Sequence, residues 1–526
     1  MSVPDAGPYQ TEVRTDSQTV ILLVAIVYLL MMLAVGAWAN TKMKSSKDFL
    51  VAGQSLGFFV MAIASFSSIQ SGWGMVGSTG TTSAWGVGAV VSVAVVPLGF
   101  ALAWFLLGGR LRRISQKHEV YSIPDIVRVR YNSRAAHIWM SIAMILGAIG
   151  YMTAQIVAAG VITSLLLGIP FMTATWIGGL IVAAYTMVGG MLAAVWTDLI
   201  QGLVMIGMSI AIFFIALSTS GGWTNMLDTL AGESVKFVAL EGVQPAVWIV
   251  ANAILLCFGI IAQPQLIHKF LMLRSAKELK WGATVAGIGY ATTTLFSLGV
   301  GLAMRSAIIE GRATEPDVLD DTANSFLSQF TSPVIAGLAL VALLAAIMSS
   351  ASSFITIGAS ALTRDLVGAL RGGSLRRELT WNRLASLGVV VASIVIGLYL
   401  DQIIYLLGAI GWAAFAAAIF GPVVIGVYWR RGTGIAALVS VIVGLALNIV
   451  LTILTSQGFW TPPPTFFAGP LVVTVGVLVY VGLSYLTSSR ADEESFDDLY
   501  PLDDEPDGVL AASASPSTPR RPEGDR

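Results

Sequence analysis

One cysteine and three histidines are few for a chain of 526 residues. Cys257 lies in an apolar run, so the sequence offers neither a disulfide nor a thiolate metal cluster. His118, His137 and His268 fall in expected loops or at span ends, which argues against a haem-binding or zinc-hydrolase membrane protein. Charge is scarce as well. Asp, Glu, Lys and Arg make up 11% of the chain, against roughly 25% in a soluble domain. A net charge of −1 leaves no footprint for nucleic acid. The chain is instead 56% hydrophobic, which reads as an all-α integral membrane protein with the lipid bilayer as its solvent.

Thirteen apolar spans are expected, starting near Val20, Leu56, Trp85, Ile138, Phe171, Met191, Ala246, Gly282, Val334, Leu384, Ile403, Gly434 and Ala468. The first lacks the basic flank and small-residue cleavage site of a signal peptide and is read as retained. An odd count puts the termini on opposite sides. The short loops 40–54, 110–137, 268–281, 363–383 and 429–433 carry 21 Lys and Arg residues, whereas the other face has only Lys236, Arg305 and Arg312, with Arg14 in the N-terminal tail. The positive-inside rule then places a multi-pass protein in the cell membrane, N-terminus outside and C-terminus cytoplasmic. Residues 1–17 form an extracellular tail, 18–487 the membrane domain, and 488–526 an acidic cytoplasmic tail expected to be disordered.

Within Leu343–Arg364, Ala346, Ser349, Ser350 and Ser353 recur at i, i+3, i+4 and i+7. Three hydroxyls therefore share one helical face. Small residues also let membrane helices approach closely, so the stripe alone is compatible with packing. It equally suits a hard monovalent cation, which is held by several oxygens. Two spans are interrupted: the second by Ser67–Gly74, the seventh by Cys257–Gly259 and Gln263-Pro264. Polar backbone at mid-membrane depth is tolerated where it lines a cavity. Each interrupted helix opens a run of five spans, the pattern of an inverted-repeat transporter with its site near the midplane. The repeats are expected at about 56–217 and 244–429. Gln70, Trp73, Tyr151, Gln155, Phe258, Gln263 and Trp412 are candidates for the wall of a small-solute cavity, aromatics shielding the solute and amides supplying donors and acceptors. Asp198, in the sixth span, is a functional candidate as an intramembrane carboxylate. Its alternative reading is a helix N-terminal anion bonded to backbone and Thr197.

The run from Tyr185 to Gln201, YTMVGGMLAAVWTDLIQ, resembles the signature of the sodium:solute symporter family, in its proline/pantothenate branch. Asp48–Gly57, Ser360–Asp365 and Phe420-Gly421-Pro422 resemble further family motifs in the expected order. The resemblance implies a LeuT-type core of five plus five spans, with one span before it and two after. It implies a sodium site between the broken second span and the ninth. Ser349 and Ser350 match the family's hydroxyl pair, Ala346 its carbonyl donor, and Ser67 and Gln70 its carbonyls on the second span. Asp198 would then lie on the sodium exit path. The chain departs from the family's proline symporters at Ile69, where they carry Asp, and at Leu256 and Ile260, where they carry Trp and Tyr.

The expectation is a secondary active transporter and not an enzyme. It would couple sodium, without an organic cofactor, to uptake of a small organic solute such as proline, another amino acid, a carboxylate or a pantothenate-like metabolite. A monomer and a one-to-one sodium:solute ratio are the simplest assumptions. A proton-coupled symporter and, from another class, a sodium-driven membrane sensor are the alternatives. No His/Asp/Glu cluster at one depth is evident from the sequence.

Overall fold

A computed structural model describes residues 15–42, 56–240, 242–273, 279–373, 375–399, 404–460 and 468–500. Residues 1–14, most of the Asp48–Gly57 motif and the distal tail 501–526 lie outside the described residues. The described chain is helical, with one isolated bridge between Leu56 and Leu273.

The first helix is α1 (Thr15–Lys42). The second span is two pieces, α2 (Phe58–Ile69) and α3 (Ser78–Trp85), the latter preceded by a π-helical turn at Trp73–Gly77. They meet at a 63° bend. Then come α4 (Val87–Lys117), α5 (Ile123–Tyr131), α6 (Arg134–Leu167) and α7 (Phe171–Thr219). The seventh span is split into α8 (Ala246–Gly259) and α9 (Pro264–Met272). It is followed by α10 (Leu279–Ile309), α11 (Pro333–Ser360), α12 (Glu378–Tyr399), α13 (Ile404–Ile419), α14 (Gly434–Ser456), α15 (Ala468–Thr487) and α16 (Arg490–Asp497).

Among the described residues, 11 helices are long and apolar enough to cross a bilayer, or 12 if the bent pair is one span. Each of the thirteen expected starts has a helix at or near it. The difference in count sits in α7, a single 49-residue helical run holding two of them. Its first part, Phe171–Ala184, is apolar but short. At 1.5 Å per residue the run would extend over about 73 Å if straight, more than twice a hydrocarbon core.

Both predicted interruptions are present, and each has a local cause. Gln70 leaves the helix with φ −68° and ψ 128°, freeing the carbonyls that precede it. Gln263 does the same, with φ −76° and ψ 124°, because Pro264 disfavours helical backbone at the residue before it. The elements around these breaks are the most deeply covered: the span containing α11, together with α6 and α13. By contrast α1, α14 and α15 leave most of their residues at the surface.

The proximal tail departs from the expected disorder. α16 starts on a Ser489 cap and its acidic side meets the basic loops. Asp498 pairs with Lys117 at 2.7 Å and Asp497 with Arg430 at 2.6 Å. Arg130 is fully buried and donates to the carbonyls of Gly426, Trp429 and Gly432, with Phe496 4.8 Å from its guanidinium. Leu499 is buried too. Charge complementarity and two apolar anchors order a segment whose composition alone reads as solvated.

Candidate ion and solute site

The hydroxyl stripe of α11 faces the broken end of α2. Ser349 Oγ donates to the Ser67 carbonyl at 2.7 Å and lies 3.1 Å from the Ala346 carbonyl. Ser350 Oγ lies 3.0 Å from the carbonyls of both Ser68 and Gln70. All these residues are buried. Two hydroxyls and four backbone carbonyls, all neutral, thus meet in two adjoining groups between α11 and the end of α2, and no carboxylate belongs to either. Ser67 Oγ and Ser353 Oγ are buried without a hydrogen-bond partner. Sequence reasoning missed the Ser68 carbonyl, since a backbone oxygen freed by a helix end has no residue letter of its own.

An aromatic box adjoins the same break. Trp73 and Trp412 have ring centroids 5.2 Å apart, and Tyr151 is 6.4 Å from each. Gly411 permits the approach of α13 to α6, because a Cβ there would lie 2.7 Å from Tyr151 Cα. Three amides join the box. Gln155 Oε1 accepts from the Gly72 N–H at 3.0 Å, and Gln263 Nε2 donates to the Gly259 carbonyl at 3.2 Å. Gln155 Nε2, Gln263 Oε1 and both amide atoms of Gln70 are buried without protein partners. Such orphaned groups cost free energy unless something satisfies them, and together they offer two donors and two acceptors. Tyr151 Oη is 3.2 Å from Ser71 Oγ, linking the box to the break.

One predicted wall residue is elsewhere. Phe258 is 46% exposed on the outside of α8, while Cys257 and Gly259 beside it are buried. Successive helical residues are turned by about 100°, so proximity to a break does not bring a side chain inward. Leu256 and Ile260 are buried as well.

Asp198 does not follow the helix-start reading. It stands inside α7 and not at a helix start, and Thr197 Oγ1 bonds to Ala193 and Ala194 carbonyls instead. Its partner is Lys269, with Nζ 2.7 Å from Oδ2 and both side chains buried. The sequence reading counted Lys269 among loop cations, but it sits on α9. Gln201, from the same motif, donates to Tyr28 Oη at 2.9 Å and so ties α7 to α1.

A second cluster contradicts the sequence expectation of no His/Asp/Glu grouping. Asp125, His137 and Asp365 bring ligand-type atoms within 4.8 Å of one another. A cation of the chain already serves this cluster: Arg364 Nη1 is 2.8 Å from Asp125 Oδ2 and 2.9 Å from Asp365 Oδ1. The cluster joins the end of the α11 span to α5 and α6. His137 and His268 are buried on helices, each near a span end as expected.

Comparison with known proteins agrees with this architecture. The family model described as "Sodium:solute symporter family" matches residues 49–444. The sodium/proline symporter of Escherichia coli strain K12 is 29% identical over 476 residues, covering 88% of this chain and 93% of that protein. The sodium/pantothenate symporter of the same organism is 26% identical, covering 87% and 96%. Among solved structures, a substrate-bound, outward-open Na+-coupled sialic acid symporter aligns with a TM-score of 0.72 at 18% identity, over 89% of this chain and 98% of that one. At that identity the likeness speaks to the fold.

Proposed function

Because the chain belongs to the sodium:solute symporter family, we infer that it works as a sodium-coupled symporter of a small organic solute. The observation that carries this reading is the meeting of the Ser349 and Ser350 hydroxyls with the carbonyls of Ser67, Ser68 and Gln70 at a helix end. In the sodium-loaded state these hydroxyls turn their lone pairs toward the ion, and the carbonyls complete its shell with Ala346. Neutral oxygens suit an alkali ion, since they replace its hydration without leaving a net charge in lipid when it departs.

The solute binds beside it, against Trp73, Tyr151 and Trp412, with Gln70, Gln155 and Gln263 as hydrogen-bonding groups. No Asp, Glu, Lys or Arg belongs to this box. That favours a compact polar or zwitterionic solute whose charges are met by sodium, backbone dipoles and amides. The relatives named above transport proline and pantothenate. Leu256 and Ile260 replace aromatic residues of the proline carriers, which favours a solute other than proline.

Thirteen spans, with a five-plus-five inverted repeat at about 56–217 and 244–429, follow from reading α7 as two crossings. The N-terminus is then extracellular and the C-terminus cytoplasmic, in keeping with the acidic α16 lying against basic loops. Sodium enters from outside and bridges α2 and α11, the solute follows, and both leave inward, sodium past Asp198. A single positive charge crossing about 100 mV releases roughly 2.3 kcal/mol, equivalent to about a 40-fold solute gradient. Proton coupling fits less well, because the intramembrane carboxylate Asp198 already has an ammonium partner.

Uptake of labelled solutes into proteoliposomes, with and without an inward sodium gradient, tests the reading. Ser349→Ala and Ser350→Ala each remove one ligand. Each should raise the sodium concentration for half-maximal uptake by about tenfold, corresponding to roughly 1.4 kcal/mol. Unchanged sodium dependence in both variants would remove the site.

A further inference from the structure

The inner half of the molecule holds a buried charge pair that the binding sites do not use. Among the described residues, Lys269 and Asp198 form the ion pair in which both side chains are essentially inaccessible, at 1% and 0% exposure. Only one carboxylate oxygen is engaged; Asp198 Oδ1 is buried with no hydrogen-bond partner. A buried pair with an unsatisfied oxygen gains little stability over well-packed apolar residues of similar size. Stability alone therefore gives no reason to keep it.

Its location supplies one. Gly202 lies one helical turn from Asp198 on α7, and a Cβ added there would be 3.3 Å from Ser67 Cβ and 2.9 Å from Ile63 Cγ2. α7 thus runs against α2 at the residue whose carbonyl belongs to the oxygen cradle. Asp198 is displaced from that contact by about 5–6 Å along α7, toward the end reached by α9. Lys269 is on α9, the helix that leaves the second break. The pair consequently ties α7 to α9 about one turn from the cradle contact, and on the sodium-coupled reading the bare oxygen of Asp198 is placed to meet an ion released inward.

An ammonium and a sodium ion carry the same charge, and one carboxylate cannot be neutralised twice. We propose that Lys269 is a tethered competitor of sodium for Asp198, keeping the inner route shut to unaccompanied ions. Sodium leaving the cradle exchanges with the Lys269 ammonium on Asp198, and the ammonium re-forms the pair once the ion has gone. Lys269 is on this account a positioning residue for ion release. The proposal rests on the sodium-coupled reading above.

The test uses the full chain in proteoliposomes preloaded with radiolabelled sodium, measured with no solute present. Lys269→Gln should raise this solute-free sodium leak by about tenfold, and Lys269→Arg should hold it at the wild-type level. A purely architectural ion pair would lower the amount of folded carrier without opening a leak per folded molecule. If Lys269→Gln does not fold, the double variant Asp198→Asn with Lys269→Gln removes both buried charges together. That variant should stay closed to leak but turn over solute several-fold more slowly, with its half-saturating external sodium little changed. Sodium-driven uptake in the wild type together with an unaltered leak in Lys269→Gln would overturn the Lys269 assignment and leave the symporter reading intact. Full turnover in the double variant would overturn it equally. Wild-type uptake indifferent to sodium would overturn both.

Discussion

Single side chains decide which functions the central region can perform. Trp412 and Phe258 are both aromatic and both lie near the second break, yet the first is buried in the box and the second faces outward. Trp412→Ala should raise the half-saturating solute concentration by about tenfold or more, as expected for a buried aromatic contact. Phe258→Ala should leave it within about twofold. Solute titration of uptake in both variants checks the pair, and equal effects would place the cavity on the wrong side of α8. The hydroxyl stripe was readable because helical periodicity is written directly into residue spacing. The facing carbonyls were only partly readable, since their exposure depends on where a helix stops. Lys269 was misread because a lysine near a span end looks the same in sequence whether it snorkels to water or turns inward to a carboxylate.

Elements show a similar division. The broken second and seventh spans were legible from Gly, Pro and polar residues within apolar runs. The docked helix α16 was not, because its order comes from partners distant in sequence, among them Lys117 and Arg130, more than 350 residues away. The loop joining α10 to α11 is another element whose behaviour is set by distant contacts. Its short turn Leu319–Asp321 packs on α3, where a Cβ at Gly80 would meet the Leu319 carbonyl at 2.2 Å. Asp320 Oδ2 accepts from the first N–H of α13, that of Ile404, at 2.9 Å. Burial pushes the Asp320 carboxyl from its ordinary 3.8 up to about 6; the Ile404 N–H opposes the rise and Asp321 adds to it. The docked loop therefore binds this proton more tightly than the free loop does. The resulting stabilisation is complete below about pH 4 and is lost as pH rises through 6. Amide exchange over 316–330, corrected for intrinsic rates, should show weaker protection at pH 7 than at pH 5. Asp320→Asn should flatten that difference. A loop equally protected at both values in the wild type would contradict it.

For the whole molecule, composition and hydropathy were enough to give a multi-pass helical membrane protein. The sequence divides α7 into two spans, starting near Phe171 and Met191, whereas the helix itself runs through both without a break. Orientation can be tested with the chain's own chemistry. Replacing Cys257 with Ser removes the one thiol, after which single cysteines report access. Glu310→Cys should react with an impermeant maleimide on intact cells, and Arg376→Cys only after permeabilisation. Both positions are exposed. The reverse pattern would invert the protein in the membrane.

The all-neutral cradle has a further electrical consequence. Under the proposed sodium site, with no carboxylate among its oxygens and with Asp198 balanced by Lys269, the emptied carrier would reset without translocating formal charge from either place. Membrane voltage then accelerates only the loaded half of the cycle. At saturating sodium and strongly negative potential the return step should set a plateau in transport current, one that further hyperpolarisation does not lift.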